Sequence, residues 1–195
     1  MRERTNMLAK IISTISSPFI IIPIFGLWVT SVYTDTINRF LALGISFIVF
    51  IVLLPFIYVY IGVKNRRFTD LHLAIREQRE KPFLISILGA ILLLVAYYFQ
   101  NAPKEGTELA TLILVNGIIF YLITRFWKIS VHSAAFFGST LVVSMFIDPM
   151  LVTLSTLVPF IVWARLKRDN HNFSQTISSI VVVGASTFLV HYFFT

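Results

Sequence analysis

The chain has 195 residues, of which 57% are hydrophobic and 13% are charged, and its mean hydropathy is +0.84. A soluble globule of this size needs more polar surface than this composition supplies, so the solvent for most of the chain must be lipid. The absence of cysteine excludes disulfides, thiolate metal sites and thiol nucleophiles. The formal net charge of +7 would suggest nucleic-acid binding in a soluble protein. Orientation in a membrane explains it more simply, so we expect membrane lipids and no nucleic acid as partners.

Seven apolar runs are candidates for membrane-crossing helices, because about 20 residues at about 1.5 Å each cross about 30 Å of hydrocarbon. Asp148-Pro149 divides two short runs, and such a pair is typical of a tight turn, so we predict a helical hairpin there, with one kinked helix as the alternative. The predicted fold is all-α, a polytopic transmembrane helical bundle of about seven helices forming a single integral membrane domain over residues 1–195. The runs cover residues 11–33, 40–63, 83–99, 109–126, 131–147, 149–164 and 174–194.

The positive charges indicate how this bundle is oriented. With seven crossings, fourteen of the sixteen Lys and Arg residues fall on one face, together with the N-terminus, and only Arg39 and Lys104 fall on the other. The positive-inside rule therefore predicts a multi-pass cell-membrane protein whose N-terminus and basic loops are cytoplasmic and whose C-terminus is extracytoplasmic. A phosphate-binding site would also concentrate cations on one face.

Three segments on the basic face carry cations and histidines in a recognisable order. They read REQREKP at residues 76–82, KISVH at residues 128–132 and RLKRDNHNFSQ at residues 165–175. In order and separation they resemble the three signatures of the type 2 phosphatidic acid phosphatase (PAP2) superfamily, which run Lys-x6-Arg-Pro, Pro-Ser-Gly-His and Ser-Arg-x5-His-x3-Asp. The resemblance covers roughly residues 64–190 and implies that a six-helix PAP2-like core is possible.

The resemblance implies a metal-independent lipid phosphatase without a cofactor, and it assigns roles residue by residue. His171 would attack phosphorus and become a phosphohistidine, while His132 would protonate the leaving alkoxide. The phosphoryl oxygens would be bound by cations and a hydroxyl group, namely Arg165, Lys81, Arg79, Arg76 and Ser130. One residue type suits both catalytic roles, because a neutral imidazole is a nucleophile and an imidazolium is an acid. The implied substrate is an amphiphilic phosphate-bearing lipid or polyprenyl diphosphate.

The chain departs from the PAP2 pattern at four positions. Ala74 stands at the first lysine, and Ile129 and Val131 replace the proline and glycine of the second signature. Gln175 replaces the terminal aspartate, which in such enzymes orients the nucleophilic histidine. Gln175 could orient His171 without supplying the charge, or another acid such as Asp70 or Asp169 could have taken over the role.

Two other functions remain open at this stage. A catalytically impaired PAP2-like protein would bind anionic lipid or serve as a scaffold or transporter. A membrane prenyltransferase would bind a diphosphate through magnesium, but only Asp70 and Asp169 are aspartates on the basic face, without paired Asp-rich motifs. His72 is expected to be an interfacial or solvated residue, and Asn116 an interhelical hydrogen-bonding residue. The sequence leaves the oligomeric state open.

Overall fold

The structure is a computed structural model that describes residues 2–71, 73, 75–168 and 171–195. Within these residues the chain forms eight helices and no strand. Short 3₁₀ segments, Arg76–Arg79 and Pro149–Leu157, lead directly into α4 and α7. The helices in chain order are α1 (Arg2–Ile15), α2 (Pro18–Val32), α3 (Ile37–Lys64), α4 (Glu80–Phe99), α5 (Lys104–Phe126), α6 (Val131–Phe146), α7 (Val158–Lys167) and α8 (Phe173–Phe194).

The structure confirms an all-α membrane bundle. Five helical stretches of the described chain are long and apolar enough to cross a bilayer, and the bent pair α1 and α2 could form a sixth. Helix α6 is also apolar but has 16 residues, so it is about 24 Å long and shorter than the hydrocarbon layer. The chain is therefore a multi-pass membrane protein.

The prediction of one continuous helix over residues 11–33 is wrong. The structure breaks it at Ser16 and Ser17 and bends the two parts by 44°. The physical reason is Pro18, because proline lacks an N–H group and holds the preceding residue in an extended conformation. Ser17 accordingly has φ −59° and ψ 137°.

The predicted turn at Asp148-Pro149 agrees with the structure. The Asp148 side chain accepts a hydrogen bond of 2.8 Å from the Met150 N–H and caps the 3₁₀ segment Pro149–Leu157. This segment packs back along α6, so α6 and the stretch leading into α7 form a hairpin. Helix α1 packs on α7, which brings the N-terminal helix beside the third basic segment.

The interior is formed where α6 packs against α2 and against α8, with the pair α4 and α5 beside them and α3 against α4. Helix α3 contains a π-helical segment, Ile48–Leu53, which ends two residues before Pro55. A Cβ atom on Gly89 of α4 would lie 2.2 Å from the Phe50 carbonyl oxygen, so only glycine permits this approach. The main core cluster contains Val29, Leu43, Phe47, Leu93, Tyr97, Leu109, Ala110, Leu112, Val142, Val143, Phe146 and Val190.

Polar contacts join the helices at the end of the bundle opposite the basic loops. His191 Nδ1 lies 2.7 Å from the carboxylate of Glu108, which is buried, and joins α8 to α5. The Tyr33 hydroxyl donates to the Phe146 carbonyl at the end of α6. These contacts tie the helices together at this end, while the three predicted site segments meet at the other.

Candidate functional site

Two arginines and two histidines among the predicted site residues are buried at the basic end of the bundle. Arg79 ends the 3₁₀ segment before α4, His132 is the second residue of α6, Arg165 lies in the last turn of α7, and His171 precedes α8. Their exposed fractions are 5%, 5%, 2% and 7% respectively. Arg79, His132 and His171 line one cavity. The structure therefore brings the three separated sequence segments together.

Gln175 fixes the orientation of His171. Its Oε1 atom lies 3.1 Å from His171 Nδ1 and 3.2 Å from the backbone N–H of Asn172. The Asn172 side chain in turn accepts from the Gln175 N–H at 2.9 Å, which completes a capping box at the start of α8. Because the Asn172 N–H can only donate, its partner atom is an oxygen, and His171 Nδ1 must then carry the hydrogen. This tautomer leaves the lone pair on Nε2.

Burial and the neighbouring positive charges keep the imidazole of His171 neutral. Burial, followed by the positive charges of Arg79, Arg165 and Lys128, lowers the pKa of His171 to about 3, and the hydrogen bond with Gln175 offsets part of this effect. Burial and the same two arginines also lower the pKa of Lys128, while Asp70 and Glu77 act in the opposite direction. At neutral pH the imidazole is therefore an uncharged base beside three cations.

The two buried arginines are held by oxygen acceptors that carry no charge. Arg79 donates from Nε to the Leu73 carbonyl at 2.7 Å and from an Nη atom to the Ile129 carbonyl at 3.0 Å. Arg165 donates from an Nη atom to Ser13 Oγ at 2.5 Å. Among the described residues neither arginine forms an ion pair, and Arg165 Nε has no hydrogen-bond partner. Buried cations that lack a paired charge are costly, so an anion would stabilise this cluster.

Except for Arg79, the predicted phosphate-binding residues lie outside the cavity wall, Arg165 included. Lys81 is exposed, and Arg76 pairs with Glu77 and donates to the Arg125 carbonyl. The hydroxyl of Ser130 is buried 3.1 Å from that of Ser133.

A backbone contact nevertheless connects Ser130 to the residues around His171. Its N–H donates to the Gln175 carbonyl at 3.3 Å, so the second and third segments are directly bonded. His72 and Asp169 lie outside the described residues. Of the two aspartates considered as replacement acids, Asp70 is described and acts electrostatically on Arg79, Lys128 and Arg165.

Two residues at this site were not predicted from the sequence. Lys128 belongs to the second segment, four residues before His132, and its position there was the available signal. Ser13 lies in α1, 152 residues before Arg165, and nothing in the sequence connects the two. Asn116 forms an interhelical hydrogen bond as predicted, because it accepts from Ser186 at 2.7 Å and so joins α5 to α8.

The cavity below the histidines has a volume of about 280 Å³ and is almost entirely apolar. It passes between α2, α3, α4, α5, α6 and α8 toward the main core cluster. Arg79, His132 and His171 supply polar groups at its basic end. A charged end joined to an apolar interior suits an amphiphile with an anionic group.

No group of three or more His, Asp or Glu side chains in the described part of the chain could hold a metal ion. Comparison of the chain with models of protein families, with curated proteins and with solved structures gave no match in any of the three.

Proposed function

We propose that the chain is an integral membrane phosphatase that acts on a lipid phosphate or polyprenyl diphosphate through a phosphohistidine intermediate. One observation carries the proposal. His171 is a neutral imidazole with its Nε2 lone pair available, and it lies beside the buried Arg79 and Arg165 and the half-buried Lys128. A nucleophile surrounded by cations suits attack on a phosphoryl group, whose oxygens carry negative charge.

The proposed reaction has two steps. His171 Nε2 attacks phosphorus, the P–O bond to the leaving group breaks, and imidazolium His132 donates its proton to the leaving oxygen. Neutral His132 then takes a proton from water, whose oxygen attacks phosphorus and breaks the P–N bond. The net reaction consumes one water and restores both histidines. A lipid phosphate yields the alcohol and phosphate, and a polyprenyl diphosphate yields the polyprenyl monophosphate and phosphate.

The cations are proposed to bind the phosphoryl oxygens. Arg165 presents a planar guanidinium group whose Nε has no hydrogen-bond partner among the described residues, and Arg79 lines the cavity together with both histidines. Charge-assisted hydrogen bonds from such groups strengthen as charge develops in the transition state. Lys128 replaces Lys81 in this proposal, because Lys128 is half-buried and its charge acts on His171, whereas Lys81 is exposed.

The apolar cavity supports an amphiphilic substrate. The charged end of the cavity lies at the basic loops, where phosphate would be released, and the apolar part of the cavity lies between the helices. We further propose that this basic face is cytoplasmic, because fourteen of the sixteen Lys and Arg residues fall there.

The test is phosphate release by purified protein from a panel of lipid phosphates and polyprenyl diphosphates in EDTA, with His171→Ala and His132→Ala as variants. We expect activity that persists in EDTA and falls about a thousandfold or more in His171→Ala. Acid-labile, base-stable phosphate on His171 should be trapped during turnover. Thermal melting of each variant controls for misfolding. Full activity in the double variant would refute this mechanism.

A binding protein without turnover is the second candidate, and the uncharged side chain of Gln175 favours it. An aspartate-to-asparagine change beside a serine-protease histidine lowers turnover by about 10⁴. Saturable orthovanadate binding that depends on Arg79 and Arg165, without hydrolysis of any substrate, would support this candidate. Strict magnesium dependence of product formation would instead point to a prenyltransferase.

A further inference from the structure

The depth of the cavity is set by two neighbouring helices. On α5, wall residues recur from Phe120 through Asn116 to Leu112 and Leu109, which places them on one helical face. On α6 the wall extends from His132 to Val142. Ten residues of helix rise about 15 Å, which is half of the roughly 30 Å hydrocarbon layer. The cavity therefore reaches from the histidines to about the middle of the bundle.

The cavity wall favours a hydrocarbon occupant. Helix α6 contributes the small residues Ala134, Ala135 and Gly138 to the wall. The polar wall residue Asn116 is already bonded within the protein, because it donates to the Leu112 carbonyl at 2.9 Å and accepts from Ser186 at 2.7 Å. Its internal bonding leaves little to attract water, and the rest of the wall is mostly apolar.

The inner end of the cavity is closed by core residues. Leu109, Leu112 and Val142 line it and are 6%, 3% and 7% exposed, and all three belong to the main core cluster. Such close-packed residues form a fixed floor, since interiors resist added volume. A hydrocarbon chain that enters the cavity beside the histidines would meet this floor at about the depth of one bilayer leaflet.

We propose that this cavity binds a single hydrocarbon chain of the phosphate-bearing substrate, and that the floor at Leu112 and Val142 limits the length of that chain. The inference rests on the proposed function, because the phosphate group at His171 fixes where the chain begins. Chains shorter than the cavity bind within it, whereas longer chains clash with the floor. The floor residues are thus specificity-determining residues that do not touch the reacting atoms.

Binding is tested by crosslinking, which needs no turnover. Wild-type protein in nanodiscs is irradiated with an alkyl phosphate that carries a diazirine on its terminal carbon, and labelled peptides are mapped by mass spectrometry. We expect labels on the α5 and α6 peptides that contain Leu112 or Val142, and competition by excess unlabelled alkyl phosphate. Labels confined to lipid-facing positions such as Leu122, which is 50% exposed, would overturn the inference.

Chain selectivity is tested with butyl, octyl, dodecyl and hexadecyl phosphate. Val142→Phe fills the floor and should lower kcat/KM for the longest accepted chain about tenfold while leaving butyl phosphate unchanged. Leu112→Ala deepens the floor and should shift the preference toward longer chains. Leu122→Ala, on the outer face of the same helix, is the matched control. Opposite shifts in the two floor variants cannot arise from misfolding.

The two proposals fail separately. A wild-type protein that hydrolyses no substrate but crosslinks at the floor would refute the phosphatase and retain the chain site. An active protein whose floor variants affect every chain length equally would refute the chain site and retain the phosphatase.

Discussion

Replacing Gln175 with glutamate tests how the reactivity of His171, the proposed nucleophile, is controlled. The new carboxylate would occupy the position of Oε1, 3.1 Å from His171 Nδ1, and it can still accept from the Asn172 N–H, as glutamate does in a capping box. Its negative charge also suits the first turn of α8, where it contributes about 0.3–1 kcal/mol. Gln175→Glu should therefore fold normally and change the charge beside the imidazole.

The size of the effect follows from charge and distance. An opposite charge within about 4–6 Å changes a pKa by about 1–3 pH units, so the pKa of His171 should rise from about 3 to about 4–6. Each unit corresponds to about 1.4 kcal/mol of stabilisation of the imidazolium form. The same carboxylate would stabilise positive charge that develops on the ring during attack on phosphorus, so we expect turnover to increase about tenfold or more.

The sign of the pH dependence distinguishes the two proteins. In wild-type protein the folded pKa of His171 lies below the ordinary value of about 6.5, so this group contributes stability above pH 6.5 that is lost as the pH falls toward 3. In Gln175→Glu that loss should be smaller. Its activity should also gain an acid limb between about pH 4 and 6, where the imidazole becomes protonated.

The assay is an NMR titration of the His171 ring, followed beside phosphate release across the same pH range. Gln175→Ala is the matched control, because it removes the hydrogen bond without adding charge and costs about 1 kcal/mol of helix capping. An unchanged His171 pKa in Gln175→Glu would show that the side chain does not contact the imidazole. A raised pKa without faster turnover would show that the missing charge is not what limits catalysis.

Two further variants test the packing around the site. Ser13→Ala removes the hydroxyl bonded to Arg165 and should weaken orthovanadate binding about tenfold, since such a bond to a charged group contributes about 1.5 kcal/mol or more. Ser16→Ala is the control, because it removes a buried hydroxyl that has no hydrogen-bond partner in the described part of the chain, and it should leave binding unchanged. Equal effects of the two variants would contradict a positioning role for Ser13. Gly89→Ala should lower the free energy of unfolding by about 1–3 kcal/mol, because its Cβ would lie 2.2 Å from the Phe50 carbonyl oxygen. A thermal or denaturant melt measures this change, and an unchanged melt would show that α3 and α4 separate freely.

The sequence alone determined the class of fold and the end of the bundle that carries the site. Apolar runs must become helices in lipid, because no water is present to satisfy an open backbone. Alternating crossings then place the loops before α4, between α5 and α6, and between α7 and α8 on one face. The alternation also places His132 and His171 at the same end of the bundle, since each lies beside a helix start on the basic face.

Tertiary structure decided which cations reach the cavity. Arg79 is buried and Lys81 is exposed although they are two residues apart, because the helical rotation of this turn directs only one of them inward. The bond between Ser13 and Arg165 depends on α1 packing against α7, a contact between the two ends of the chain. Sequence periodicity reports which face of a helix is apolar, but in a membrane both the lipid-facing and the protein-facing sides are apolar. The rotation of each helix, and with it the shape of the cavity, is therefore fixed only when the helices pack.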